Sequence, residues 1–496
     1  MVIEIVAGRL VARHVGSNLY TWTSVIAVVL AGLSLGNFIG GRVADRSDED
    51  TVRANLAGLL SFAAVMALSI LWLHGWVFGY IAGLGWSWPM RILAGVTVTF
   101  LAPSIVLGTV SPVVAKWALE LGSSIGRTVG SVYAWGSMGA IAGTLLTGFV
   151  LVAHLGTSVV IGLVALVLAS LALAVRPGRR ELVTLALVVI ALLVAASPSA
   201  LPGIGWLQPH SDEHGPDVVY FAESSYQSIL IREFRDGLRV VIIDDLVHGY
   251  VNPDDPLHLE YEYLQIYAAL VANRLGHTPS ITTLHLGGGA YTFPRFLRAV
   301  QPSGAVIVAE IDEAVTLANQ RATGLADPLP FTVIHSDARH VVTDMAASGD
   351  KVEAVFSDAF HDVAVPYHLA TREFLRQVDR ILSDQGFFAA NVIDVFASGR
   401  LLGAFVTTMR TVFPHVSVIA TRPPQDDGER DTFVVVGSRE PLDLVSAEQF
   451  AHDAGYAFHS FTEADYRQLR RRAGPLILTD EYAPVDNLVA TWPGTR

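Results

Sequence analysis

The sequence has no cysteine and little charge. Of its 496 residues none is Cys, and only 16% are Asp, Glu, Lys or Arg, against about 25% in an ordinary soluble domain. The missing cysteine excludes disulfides, thiolate metal sites, iron–sulfur clusters and a cysteine nucleophile. Hydrophobic residues make up 52%. This share excludes a disordered chain and an ordinary all-soluble enzyme.

The charge that is present is unevenly distributed. The first 200 residues carry 11 basic and 7 acidic side chains, a net charge of +4, and the remainder carries 22 basic and 39 acidic, a net charge of −17. This asymmetry predicts two regions in different surroundings. The acidic second region argues against nucleic-acid binding, which needs a basic footprint. It suits a cationic substrate, although many soluble domains are simply acidic.

Long apolar runs fill the first region. A membrane-spanning helix needs about 20 mostly apolar residues. Six runs are candidates, of which the last is the shortest: 20–39, 56–81, 92–114, 129–152, 158–175 and 182–196. Residues 1–12 are too short to span and carry Glu4 and Arg9, so we expect an interfacial helix or the tail of a truncated one. The sequence therefore predicts a multi-pass helical membrane domain over residues 1–200.

Two of these runs contain glycines four residues apart. The pairs are Gly32 with Gly36 and Gly139 with Gly143. Small residues at this spacing let membrane helices pack closely. Glycine is also simply common in membrane helices, so both readings stay open.

The second region has the pattern of an α/β domain. A Pro/Gly-rich linker, 201–217, leads into a small β element and substrate segment, 218–275, with a turn at Asp236-Gly237. Over 276–496, strands alternate with glycine-containing loops and helices. That alternation predicts a doubly wound, mostly parallel, Rossmann-like sheet.

Ligand-binding residue types follow four consecutive predicted strands. The glycine loop Gly287–Gly289 follows the first, and Glu310, Asp337 and Asp358 follow the next three. Ligands bind at the carboxyl ends of strands in open α/β sheets. An acid about 20 residues after the glycines, as Glu310 is, accepts hydrogen bonds from ribose hydroxyls. Helix capping could explain one acid but not the whole set. The incomplete G-x-G-x-x-G series favours an adenosyl ligand over a dinucleotide.

These stretches resemble the spermidine synthase (polyamine aminopropyltransferase) family, in the branch fused to a membrane domain. The resemblance covers roughly 218–489 and is carried by residues 223–231, 286–289, 308–312, 336–338, 356–358, 366–374 and 478–486. It implies a fold of the S-adenosylmethionine-methyltransferase type. It also implies a reaction in which decarboxylated S-adenosylmethionine donates its aminopropyl group to putrescine, giving spermidine and methylthioadenosine.

The resemblance also implies residue roles. Glu310 would hold the ribose, Asp337 the adenine amino group, and Asp358 would act as the general base on the amine. The implied donor-binding residues are Gln227, Gly287, Gly288, Gly289, Glu310, Asp337 and Ala338. The implied substrate-binding residues are Tyr261, Glu262, His361, Asp362 and Pro366. The donor is a co-substrate, and neither a prosthetic group nor a metal is expected, since the 16 histidines form no H-E-x-x-H motif.

Three positions depart from the family pattern. Ala290 stands where the family has an aspartate that binds the amino end of the donor, and His361 stands where its catalytic loop has a second acid. The tyrosine-containing substrate segment is altered over 258–263. Replacement negative charge could come from Asp255, Glu260, Glu262 or Asp362. Equally, the acceptor could be an amine other than putrescine, or the donor could keep its carboxylate.

Two other functions remain as alternatives. An S-adenosylmethionine-dependent methyltransferase would use the same sheet and ribose acid, and a transporter or sensor would bind a polyamine or nucleoside without turnover. The expected partners are a polyamine, an adenosyl donor and the lipid bilayer, with no nucleic acid; a homo-oligomer is left open.

The sidedness of the second region depends on residues 182–196. Basic residues mark cytoplasmic loops, and here they follow the first, third and fifth runs: Arg42, Arg46, Arg53, Lys116, Arg127, Arg176, Arg179 and Arg180. A sixth span would then place the second region outside the cell, away from the cytoplasmic donor that the resemblance implies. Because that run falls below the lower limit of about 17 residues, we expect it to be interfacial or re-entrant. We therefore expect a cell-membrane protein with a cytoplasm-facing catalytic domain.

Overall fold

The computed structural model describes residues 1–120, 124–152, 155–196, 217–244, 246–276, 278, 280–359, 365–426 and 428–489. It divides into two compact units. The helical unit comprises Met1–His210 with the short segment Glu223–Gln227, and the α/β unit comprises Ser211–Ala222 with Ser228–Arg496. Most of the predicted linker, 201–216, lies outside the described residues.

The helical unit contains seven α-helices in its described residues. They are α1 (Val2–Val15), α2 (Leu19–Asp45), α3 (Glu49–Ala82), α4 (Trp88–Glu120), α5 (Ile125–Leu146, continued by a π-helical turn over Thr147–Leu151), α6 (Thr157–Val175) and α7 (Arg179–Ala196). Five helices, α2 to α6, are long and apolar enough to cross a membrane. The described residues therefore supply five candidate spans, whereas the sequence predicted six. The sixth run, in α7, is not a candidate because that helix begins with three charged residues, Arg179, Arg180 and Glu181.

Helices α2 and α4 pack closely through small residues. A Cβ atom added at Gly32 would lie 2.5 Å from the Ser104 Cβ, and one added at Gly36 would collide with the carbonyl oxygen of Ile105. Such contacts leave no room for a larger side chain on this face of α2. The second predicted pair differs, because among the described residues nothing lies within 4 Å of a Cβ at Gly139, and a Cβ at Gly143 would meet only the Val2 side chain, at 3.3 Å. The spacing thus marks close contact with a neighbouring helix backbone in α2, whereas in α5 it meets open space or a side chain.

We expect Gly36→Leu to destabilise the helical unit, because the added side chain would force α2 and α4 apart. Overpacking of this kind costs about 1–3 kcal/mol and sometimes more. Thermal unfolding of the detergent-purified chain, followed by size-exclusion chromatography, measures the effect. The matched control is Gly139→Leu, on the open face of α5, which should leave the midpoint nearly unchanged. Equal losses in the two variants would contradict this packing argument.

The α/β unit begins with a four-stranded sheet in the order β1-β2-β3-β4. Its strands are β1 (Asp217–Glu223), β2 (Ser228–Glu233), β3 (Arg239–Ile243) and β4 (Leu246–Val251). The β2–β3 hairpin is the one that the sequence predicted, with Gly237 at φ 85° in its turn. Strands β1 and β4 extend it on either side.

The main sheet has eight strands in the order β12-β10-β11-β9-β8-β5-β6-β7. They are β5 (Thr282–Leu286), β6 (Ala305–Glu310), β7 (Thr332–His335), β8 (Val352–Ser357), β9 (Leu382–Val395), β10 (His415–Ala420), β11 (Arg430–Ser438) and β12 (His459–Ser460). Strands β5 to β9 pair in parallel, whereas β10, β11 and β12 add antiparallel pairs beyond β9. The predicted Rossmann-like sheet is confirmed, with a mixed rather than purely parallel composition.

Helices cover both faces of this sheet. They are α8 (Glu262–Leu275), α9 (Thr292–Val300), α10 (Glu313–Ala322), α11 (Ala338–Ser348), α12 (Arg372–Ile381), α13 (Arg400–Met409), α14 (Leu444–Asp453), α15 (Glu463–Ala473) and α16 (Val485–Val489). One hydrophobic core contains side chains of α11, α12 and α13, and the other contains those of α8, α9 and α10. Because strand side chains alternate between faces, Leu284 and Leu286 enter the first core and His285 points toward the second.

Candidate active site

The four predicted strand ends meet at one edge of the main sheet. Strands β8, β5, β6 and β7 are parallel neighbours in that order. Their carboxyl ends therefore bring Asp358, the glycine loop Gly287–Gly289, Glu310 and Asp337 into one row. This is the edge at which open α/β sheets bind ligands.

The glycine loop is shaped by its contact with the segment after β8. Gly287 has φ 99°, a conformation that favours glycine, and a Cβ there would lie 2.7 Å from the carbonyl oxygen of Asp358. A side chain at this position would push the two strand ends apart. Glycine therefore keeps Asp358 close to the loop.

Asp358 is half-buried and held by two hydrogen bonds. The Tyr263 hydroxyl donates to its Oδ2 at 2.6 Å, and the Asn391 side-chain amide donates to its Oδ1 at 3.0 Å. Burial raises the pKa of Asp358 to about 6, against the opposing effect of both hydrogen bonds. Burial and the adjacent carboxylate raise the pKa of Tyr263 well above 10, so its phenol remains a donor. The arrangement gives an ionised carboxylate at neutral pH that can readily accept a proton.

Asn391 carries a further acceptor beside this carboxylate. Its Oδ1 atom is buried and has no hydrogen-bond partner in the part of the chain that the structure describes. Leaving a buried acceptor unpaired is costly, and such atoms are uncommon in folded proteins. A ligand that donates two hydrogen bonds could satisfy Asp358 and Asn391 together.

A cavity opens between Asp358 and the glycine loop. Its other lining side chains are mainly aromatic or histidine, and the full lining comprises His248, Gly249, Tyr263, Leu264, Tyr267, His285, Gly287, Gly288, Ala290, Thr292, Phe293, Pro294, Phe356 and Asp358. Burial lowers the pKa of His248 to about 4 and that of His285 to about 3. Both imidazoles are therefore neutral at pH 7, and Asp358 supplies the negative charge.

Glu310 lies against the glycine loop. Its Oε2 accepts the Gly288 N–H at 2.7 Å, and its Oε1 accepts the Asp312 N–H at 2.9 Å. The side chain is buried, which raises its pKa, while the two backbone N–H groups oppose that rise. The carboxylate is thus fixed in the position that the sequence predicted for a ribose-binding acid.

Asp337 begins α11 at the end of β7. Its Oδ1 accepts the Arg339 N–H at 2.8 Å, which caps the helix, and its Oδ2 lies 3.1 Å from His368 Nε2. Ala338, the next residue, is buried in the first turn of the helix.

The other predicted site residues are placed less directly. The Tyr261 hydroxyl donates to the Val247 carbonyl, Glu262 is exposed in the first turn of α8, and neither lines the cavity. Pro366 is half-buried before a 3-10 turn. His361 and Asp362 lie outside the described residues, and Gln227 groups with the helical unit. The substrate and donor contacts of all six residues stay predictions.

The sequence interpretation missed Tyr263, Asn391 and the cavity-lining His248. Tyr263 lies two residues from the predicted Tyr261, on the buried side of α8, so helical periodicity was the available signal. Asn391 lies in the apolar strand β9 and is 4% exposed. A polar residue at such a position is itself a signal. Among the described residues, no cluster of three or more His, Asp or Glu could hold a metal.

Comparison with known proteins finds curated relatives that match a little over half of the chain. The polyamine aminopropyltransferase of Vibrio vulnificus is 27% identical over 293 residues, covering 55% of this chain and 91% of the relative. The probable polyamine aminopropyl transferase of Bifidobacterium longum is 24% identical over 309 residues, covering 55% of this chain and 62% of the relative. No protein-family model matches the chain.

Among solved structures, a probable spermidine synthase from Corynebacterium glutamicum aligns with a TM-score of 0.46 and 20% sequence identity. The alignment covers 56% of this chain and 99% of that protein.

Proposed function

Since curated relatives confirm the resemblance of this chain to the spermidine synthase family, we propose that this chain is a membrane-anchored polyamine aminopropyltransferase. The donor is decarboxylated S-adenosylmethionine, and the acceptor is a diamine such as putrescine. The products are spermidine and methylthioadenosine. Asp358, half-buried beside the glycine loop with its two hydrogen-bond donors, is the observation that carries this proposal.

The chemistry needs one base and no electrophilic catalyst. Asp358 takes a proton from the ammonium group of the acceptor, whose nitrogen then attacks the aminopropyl carbon attached to sulfur. The C–N bond forms as the C–S bond breaks, and the electron pair of the broken bond neutralises the sulfonium. Methylthioadenosine is therefore a good leaving group without protonation. The proton on Asp358 passes to solvent before the next turnover.

The charges of the cavity support a cationic acceptor. Asp358 is negative at neutral pH, while His248 and His285 are neutral because burial lowers their pKa values. Two protonated imidazoles would instead repel an ammonium group. The unpaired Asn391 Oδ1 offers the same group a second acceptor.

An assay of the detergent-purified full chain tests the proposal. The chain is incubated with putrescine and either decarboxylated or intact S-adenosylmethionine, and products are separated by mass spectrometry. We expect spermidine and methylthioadenosine from the decarboxylated donor. Failure to form methylthioadenosine with putrescine or a panel of other di- and monoamines would overturn the proposed activity.

A methyltransferase is the second candidate, favoured by Ala290. This residue is buried, lines the cavity and carries no charge. An aspartate there would repel the carboxylate of intact S-adenosylmethionine, and alanine does not. Adenosylhomocysteine formed from the intact donor in the same assay would favour this second candidate.

We also propose that the α/β unit faces the cytoplasm. The basic loops follow α2, α4 and α6, and α7 is not among the candidate spans. The chain after α6 then stays on the basic side, which is the cytoplasmic side by the loop rule. This sidedness also matches the expected location of the donor.

Green fluorescent protein fused after Arg496 should therefore fluoresce, because it is active in the cytoplasm. Alkaline phosphatase fused at the same position should be inactive, because it requires export. A fusion after Gly85, between α3 and α4, serves as the control and should give the reverse pattern. An exported reporter after Arg496 would contradict the proposed orientation.

A further inference from the structure

We propose that His368 is a specificity-determining residue that orients Asp337 to select a 6-amino purine. This inference rests on the proposed function, because it concerns the nucleoside part of the donor and of methylthioadenosine.

The strand order places the base near Asp337. The reacting end of the site lies at Asp358 after β8, followed by the glycine loop after β5 and the ribose acid Glu310 after β6. Neighbouring strands are about 4.8 Å apart, so β7 lies roughly 14 Å from β8 along this edge. An adenosyl group extended from Asp358 across Glu310 therefore brings its base to Asp337.

His368 fixes the carboxylate that the base would meet. Its Nε2 lies 3.1 Å from Asp337 Oδ2, while the Arg339 N–H occupies one lone pair of Oδ1. The two contacts restrict rotation of the carboxylate and leave a lone pair on each oxygen. An ionised carboxylate is only an acceptor. It can bind the amino group at position 6 of adenine and repels the oxygen that hypoxanthine has there.

The turn that carries His368 is itself clamped. The Arg339 guanidinium donates to the His368 carbonyl at 3.0 Å and to Asp480 Oδ1 at 2.8 Å. Asp480 also accepts the Thr371 hydroxyl at 2.7 Å. Arg339 thus ties α11, the 3-10 turn Tyr367–Leu369 and the Asp480 segment together. His368 is held where it can act on Asp337, and Asp480 is a positioning residue for it.

Core packing does not account for this histidine. Its side chain is 29% exposed, and Asp337 is the one side chain to which its ring hydrogen-bonds in the part of the chain that the structure describes. Removing the imidazole should therefore act mainly on Asp337.

The test compares two nucleosides that differ on one edge of the base, where the 6-amino group is replaced by an oxygen and N1 gains a hydrogen. Calorimetry on the detergent-purified full chain measures the Kd of methylthioadenosine and of methylthioinosine, its 6-oxo analogue. A correctly oriented carboxylate should give a preference for the amino compound of about 10- to 100-fold. We expect His368→Ala to reduce this preference by about tenfold. His368→Gln, which keeps an N–H donor, should restore part of it.

Asp480→Asn provides a second variant that leaves His368 in place. It should reduce the same preference, whereas Glu440→Gln, which removes an exposed Arg274 ion pair elsewhere, should not. A merely structural role would weaken the binding of both nucleosides equally. An unchanged preference for the amino compound in His368→Ala and Asp480→Asn would therefore overturn the inference. If the unmodified chain binds neither nucleoside, the proposed function fails instead.

Discussion

Asp358→Asn is expected to slow turnover by about 100-fold or more at saturating substrates, the scale of lost general-base catalysis. Asparagine can keep a hydrogen bond from Tyr263 through its oxygen but cannot accept a proton from the amine. Methylthioadenosine affinity should change little, because the nucleoside contacts lie at Glu310 and Asp337. Steady-state rates together with calorimetry separate the two effects. Turnover close to that of the unmodified chain would exclude Asp358 as the base.

The same residue should set the acid limb of the pH profile. Asp358 acts only when ionised, and burial raises its pKa to about 6, so kcat should fall about tenfold per pH unit below that value. Tyr263→Phe removes a hydrogen bond that lowers this pKa. The limb should therefore move to higher pH in that variant. A limb that stays in place would show that another group titrates.

Glu310→Ala should weaken the binding of the donor and of methylthioadenosine alike, since both carry the ribose hydroxyls. A hydrogen bond to a charged group contributes about 1.5–3 kcal/mol, which corresponds to roughly 10- to 150-fold in Kd. The effect should appear in calorimetry with methylthioadenosine alone.

Glu353→Ala is the matched control for Glu310. The Glu353 carboxylate also accepts a backbone N–H, that of Thr282 at 2.7 Å, but at the opposite end of the sheet. Its removal should lower the unfolding temperature without changing nucleoside affinity. Equal losses of affinity in both variants would mean that Glu310 acts through fold stability.

The sequence was most informative where chemistry follows strand order. Strands β5 to β8 are short, and a glycine or an acid ends each strand or follows it within two residues. Parallel neighbours align such ends automatically, so the row from Asp358 to Asp337 could be predicted without knowing any side-chain contact.

The contacts around the base could not be predicted in this way. Tyr263 and Asn391 are 95 and 33 residues from Asp358 in sequence, and only tertiary packing brings them together. The antiparallel strands likewise depend on tertiary pairing, because β11 pairs with β9, and β10 pairs in turn with β11 and β12. Local patterns do not encode such register, because hydrophobic alternation is compatible with several partners.

The position of β7 at the margin of the sheet links ligand affinity to local unfolding. This strand has four residues, a paired neighbour on one side, and Thr332 and His335 exposed. An edge strand of this kind opens more readily than the buried β5. A nucleoside bound across Glu310 and Asp337 would hold β6 and β7 together, and at 100 times its Kd it would contribute about 2.7 kcal/mol against that opening. Amide hydrogen exchange in β7 would then report on occupancy of the site independently of turnover.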